Sequence, residues 1–173
     1  MRAELNEAFD MILRMKPAAS AALFGSENYP DVHGSIYLYP FWTGALILVE
    51  AAGLPFTDDS CGGRIFGFHI HEGGSCERGK APADTDMPYD AFPATGSHYN
   101  RENCLHPEHS GDLPPLFGSN GYALMMVFTD RFQPEDVIGR TAVIHTMADD
   151  FKTQPAGDSG EKMACGEIKQ YEE

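Results

Sequence analysis

The chain is poor in positive charge. Its 173 residues carry 12 Lys and Arg against 26 Asp and Glu, a formal net charge of −14. Such a surface repels polyanions, so nucleic acid and anionic membranes are excluded as partners, and an anionic substrate has to be steered by a local positive field. No apolar run approaches the roughly 18–20 residues of a membrane-crossing helix. The first residues carry Glu4, Glu7, Asp10, Arg14 and Lys16, which interrupt any signal-peptide apolar stretch. With a starting Met the chain is expected to be soluble and cytoplasmic. Two disulfides would instead favour a periplasmic or extracellular protein whose signal was removed. Cysteine is scarce as well: Cys61, Cys76, Cys104 and Cys165 allow two bridges at most and no disulfide scaffold. There is no internal repeat and no low-complexity tract.

Hydrophobic residues make up 42% of the chain, enough for one domain with a substantial core. The 18 glycines and 12 prolines suit a loop-rich all-β fold. Leu5, Phe9, Ile12, Leu13 and Met15 follow a helical period and Pro17 stops it, so residues 1–16 are predicted to form a short helical arm ahead of a main domain at 17–173. From about residue 18 the period is two. Strands are predicted at Ala19–Phe24, His33–Pro40, Ala45–Glu50, Arg64–His71, Asp112–Gly118, Tyr122–Thr129, Arg140–Met147 and Lys162–Lys169. About eight short strands joined by tight turns indicate an antiparallel Greek-key barrel or sandwich. Two long loops interrupt it, 72–111 and Ala148–Glu161. Structureless loops of that length in a compact domain are usually functional.

The histidines carry the chemistry. In Gly67-Phe68-His69-Ile70-His71 the two imidazoles share one strand face, about 6–7 Å apart, while Phe68 and Ile70 point into a core. His145 alternates with Ala142 and Ile144 in the same way. The long loop holds His98, His106 and His109, followed by Asp112; only His33 stands apart. Four imidazoles, three from strands and one from the loop, form an all-nitrogen set that suits copper(II). The remaining loop ligands plus a nitrogen of His98 form a tetrahedral set that suits zinc. An imidazole has two ring nitrogens, so one ring can serve both.

GFHIHE, GSHYN, HSGDLP, AVIHTMADD and MACGEI, read in that order between about residues 64 and 168, resemble the copper/zinc superoxide dismutase family, and HEGGSC and GDLP resemble its bacterial branch. The resemblance implies a flattened Greek-key barrel and dismutation of superoxide to oxygen and hydrogen peroxide. It implies that His69, His71 and His145 bind copper, that His98 bridges copper and zinc and carries a proton between half-reactions, and that His106, His109 and Asp112 complete the zinc site. Asp149 matches a carboxylate that hydrogen-bonds one histidine of each site. Cys76 and Cys165 match a disulfide tying the long loop to the last strand.

The sequence departs from the family in three places. Only two residues separate His106 from His109. Lys162 stands where the family places an anion-guiding arginine, keeping the charge but losing the planar fork; it is the expected catalytic cation, with Lys152 as a helper. Cys61 and Cys104 have no counterpart, and they are expected either as a second bridge or as two free thiols. Two other readings remain open on the sequence: a dismutase-like copper- or zinc-binding protein without fast turnover, and an interaction subunit docked through its N-terminal helix. The sequence also leaves open whether two copies pair as a homodimer.

Overall fold

The computed structural model describes Ile12, residues 14–57, 65–79 and 89–172. Among these are ten strands: β1 (Ala19–Gly25), β2 (His33–Phe41), β3 (Gly44–Ala52), β4 (Ile65–Phe66), β5 (Phe68–His71), β6 (Leu116–Phe117), β7 (Tyr122–Thr129), β8 (Thr141–His145), β9 (Lys162–Glu167) and β10 (Lys169–Gln170). The helical arm predicted over 1–16 lies almost wholly outside the described residues.

All strand pairs are antiparallel. The main sheet runs β5-β8-β9-β1-β2-β3-β7, with β10 added on β1, and β4 pairs with β6. Since β4 leads into β5 and β6 into β7, this small pair links the two ends of the curled sheet and closes its core. The inward positions alternate as the period of two requires. Ile36 and Leu38 on β2, Ile47 and Val49 on β3, Phe68 and Ile70 on β5, and Ile144 on β8 are all fully buried in one core. Each such side chain contributes on the order of 1.5–3 kcal/mol of burial.

β1, β2 and β3 run one to three residues longer than expected, and four of the expected strands break or shorten. The segment Arg64–His71 breaks at Gly67, whose N–H donates to Met147 C=O (2.7 Å) and whose C=O accepts from His145 N–H (2.8 Å). Asp112–Gly118 shrinks to Leu116–Phe117, because Pro114 and Pro115 have no N–H to give a ladder. Arg140–Met147 shortens to Thr141–His145. Lys162–Lys169 ends at Glu167. Beyond it Ile168 N–H donates to Arg140 C=O, and the chain crosses to pair with β1 as β10.

The outer face of β5, β8 and β9 is where the long loop sits. Val143 and Cys165, on neighbouring strands, pack with Cys76, Ala91 and Phe92 of the loop in a second apolar cluster. The Cys76–Cys165 disulfide fastens the two layers. Cys104 is an exposed free thiol; Cys61, its possible partner, lies outside the described residues.

Candidate metal centre

Backbone bonds carry the loop histidines onto β5. Tyr99 N–H donates to Ile70 C=O (2.8 Å), Gly111 N–H to Tyr99 C=O (2.7 Å) and Ile70 N–H to Gly111 C=O (2.9 Å). Gly111 is required for this approach: a Cβ there would stand 2.2 Å from the Ile70 carbonyl oxygen. His98 and Asp112 are thereby set beside His71 and His69, each pair forming a β-bridge.

The structure brings together every predicted ligand. His69, His71, His98 and His145 form one buried quartet, and His98, His106, His109 and Asp112 a second; within each, ligand atoms lie within 4.8 Å of one another. His98 is common to both. The rings of His69 and His71 are 6.5 Å apart, as two positions along a strand dictate. His106 and His109 also converge, with ring centroids 5.6 Å apart. The turn between them is closed by Asp112, whose Oδ2 accepts the His109 N–H (3.0 Å).

The protons on these rings are placed by their partners. Asp149 Oδ2 accepts from His69 Nε2 (2.7 Å) and Oδ1 from His106 Nε2 (2.9 Å), which leaves Nδ1 of each ring bare. His71 Nδ1 donates to Gly96 C=O (2.9 Å), turning its Nε2 toward His145 Nε2 at 3.2 Å. His98 Nδ1 lies 2.7 Å from Asp112 Oδ1, and its Nε2 has no partner. His106 Nδ1 and His109 Nδ1 approach Asp112 Oδ2 at 3.0 and 3.3 Å without hydrogen-bond geometry.

Burial pushes the pKa of His71 and His145 well below the ordinary imidazole value, with the neighbouring imidazoles adding to the effect. His69 is lowered by burial as well, against the opposing effect of its hydrogen bond to Asp149. These rings are neutral at physiological pH and keep a lone pair. Burial raises Asp149, but its bonds from His69, the Phe151 N–H and His106 outweigh that and bring it to about 2. Asp112 is lowered too: burial opposes, and the His98 hydrogen bond with the nearby His98, His106 and His109 charges prevails. A buried polar atom without a partner costs about 1–3 kcal/mol. Four such nitrogens occur here, on His69 and His98 toward the first quartet and on His106 and His109 toward the second. Two cations would satisfy them all, and the donor sets fit copper at the all-imidazole quartet and zinc at the His₃Asp quartet.

A cavity of about 580 Å³ opens over His71, His98 and His145, and Lys162 lines it. The Lys162 ammonium is held: it donates to Asp90 Oδ2 (2.7 Å) and to Phe92 C=O (3.2 Å). Lys152 does not line this cavity.

Three other contributors have no signature in the sequence. Asp90 is one, because its link to Lys162 spans 72 positions. Gln154 is the second: its side chain accepts from His106 N–H (3.0 Å) and donates to His106 C=O (2.8 Å), gripping that residue's backbone. Gly157 is the third. With φ +68°, it passes so close that a Cβ would meet Asp149 Oδ1 at 2.1 Å and His106 Nε2 at 2.7 Å.

A curled antiparallel sheet carrying two histidine-rich quartets that share one imidazole is the frame of a binuclear metalloprotein. The copper/zinc superoxide dismutase family model matches residues 33–168. A Cu-Zn superoxide dismutase of Deinococcus radiodurans is 32% identical, covering 78% of this chain and 76% of its own. One from Aquifex aeolicus is 31% identical, covering 87% and 86%. Among solved structures, the Cu/Zn superoxide dismutase from Brucella abortus shares the fold (TM-score 0.70, 24% identity, 86% of this chain and 97% of that one). A double mutant of a SOD-like protein from Bacillus subtilis also matches (TM-score 0.65, 29% identity, 85% and 94%). This chain belongs to the copper/zinc superoxide dismutase family.

Proposed function

We propose that this protein disproportionates superoxide, two anions and two protons giving oxygen and hydrogen peroxide. The observation that carries the reading is the pair of quartets sharing His98, with four buried ring nitrogens left for cations. His69, His71, His98 and His145 would hold copper, and His98, His106, His109 and Asp112 would hold zinc. Bound there, copper supplies a one-electron couple and zinc a fixed positive charge beyond His98.

The side chains do the rest. Asp149 fixes the tautomers of His69 and His106. His98 Nε2 faces the first quartet and the ring lines the open cavity, so this atom is placed to hold a proton between half-reactions and hand it to the departing peroxide. Lys162 is the cation on the cavity wall that draws the anion in against the acidic whole.

Lys162 is countered by Asp90. Lys162→Met should lower kcat/KM roughly ten-fold and flatten its salt dependence. Asp90→Asn should free the ammonium, raising the rate a few-fold and steepening that dependence. Stopped-flow decay of superoxide across ionic strengths reads both, and a rate indifferent to both changes would remove Lys162 from substrate guidance.

The whole reading is tested by loading the protein with copper and zinc, quantifying both, and following superoxide decay by pulse radiolysis. Near-diffusional decay supports it, whereas full copper occupancy with negligible decay overturns it. Two finer points belong to the proposal. The Cys76–Cys165 bond supports an oxidising compartment over the cytoplasm. The exposed apolar row Leu124, Met126 and Phe128 on the edge strand β7 supports pairing of two copies.

A further inference from the structure

We propose that Arg131 is a positioning residue for the second quartet, locking the backbone of the His106–Asp112 turn so that its ligands converge. The inference rests on the reading that this quartet holds zinc. Arg131 touches no ligand side chain. Its Nη1 lies 3.1 Å from the carbonyl oxygen of Pro107, 2.9 Å from that of His109 and 3.3 Å from that of Asp112. Two of these carbonyls belong to ligands, and the third to the residue that follows a ligand.

Three carbonyl oxygens converging on one point form a negative concavity. Without a cation their dipoles repel one another, and the turn relaxes outward. The spacing in this chain sharpens the need. With two residues between His106 and His109, the turn keeps only a few bonds of its own: Glu108 N–H to Leu105 C=O (2.8 Å), Asp112 N–H to His109 C=O (3.2 Å) and His109 N–H to Asp112 Oδ2 (3.0 Å). None engages the Pro107 carbonyl. The guanidinium supplies charge-assisted bonds, which are about twice as strong as neutral ones.

Arg131 is itself anchored. It follows β7, its N–H donates to Thr129 Oγ1 (3.3 Å), and the next residue, Phe132, is buried with its ring 6.5 Å from that of Tyr99. Tyr99 is the residue after the shared His98. The clamp therefore ties the turn to the barrel edge and to the segment carrying His98. Glu108, 3.7 Å from Nη2 and largely exposed, adds little.

All three acceptors meet one nitrogen, so an ammonium, with three donors, can partly replace it. Arg131→Lys is therefore the conservative variant and Arg131→Met the disruptive one. Zinc affinity is read by competition with a chromophoric chelator, and the ligand field by the visible bands of the cobalt(II)-substituted protein. Copper affinity and the thermal midpoint of the metal-free protein are measured alongside. Arg131→Met should weaken zinc binding about ten-fold or more and alter the cobalt bands, while copper affinity stays within about two-fold; Arg131→Lys should recover most of the loss. Unchanged zinc affinity and cobalt spectrum in Arg131→Met overturn the proposal. So does a parallel fall in both metals together with the metal-free midpoint, which would mark Arg131 as a general fold contact. Wild-type protein that takes up no zinc would overturn the underlying reading, and this proposal with it.

Discussion

Asp149→Asn is expected to weaken metal binding about 10–100-fold in at least one quartet. The carboxylate serves two rings at once, one oxygen for His69 and the other for His106 and the Phe151 N–H. It is ionised at any pH well above about 2, so both oxygens accept. Each imidazole then keeps its proton on Nε2 and presents a bare Nδ1 inward. An asparagine offers one acceptor oxygen. Its NH₂ faces the other ring and donates to that Nε2, so the ring's own proton moves to Nδ1, where a cation would bind. The amide is nearly isosteric with the carboxylate, so the fold should survive. Titration of both metals against competing chelators, with circular dichroism as the fold control, reads the outcome. Affinities unchanged within about two-fold at both quartets would show that Asp149 does not set the tautomers.

Removing the disulfide should have the largest effect on stability. Cys76 and Cys165 are 89 positions apart, and the bond closes that long loop in the unfolded chain as well as the folded one. The loss of such a constraint costs about 2–5 kcal/mol. For a chain of this size that is a fall in thermal midpoint on the order of 10 °C. The double change Cys76→Ser with Cys165→Ala avoids leaving a lone buried thiol. Calorimetry on the metal-free protein is the proper measurement, because bound ions add their own stabilisation. The loss should also be felt locally, since Val143 and Phe92 pack around the bridge and His145 lies two residues beyond Val143. A midpoint that does not move would mean that the apolar cluster alone holds the long loop to the barrel.

Much of this was legible because it was periodic. Alternation places β7 at Tyr122–Thr129, as the structure has it, and separates the His69/His71 face from the Phe68/Ile70 face. Where the chain departs from a period, sequence and structure differ for identifiable reasons. Pro114 and Pro115 stop a strand that the apolar residues suggest. The Gly67 break and the crossing after Glu167 depend on partners far away in the chain, Met147 and Arg140. All the predicted ligands converge, because strand alternation sets His69 and His71 on one face and the Tyr99, Ile70 and Gly111 backbone bonds bring the loop ligands beside them. Their supports, Asp90, Arg131 and Gln154, are ordinary residue types with no local signature, and only the fold brings them to the site.

Gly157 carries a lesson for anyone who builds variants of this protein. Exposed loops are where sequence libraries are usually aimed, because chains accept change there. Residue 157 lies in such a stretch, yet the space a methyl group would need is filled by Asp149 and His106. The second loop is therefore the wall of a mould, and one of its least conspicuous residues is among its least replaceable. Diversity introduced at that point would be selected against as strictly as at a ligand, through a residue with no side chain to recognise.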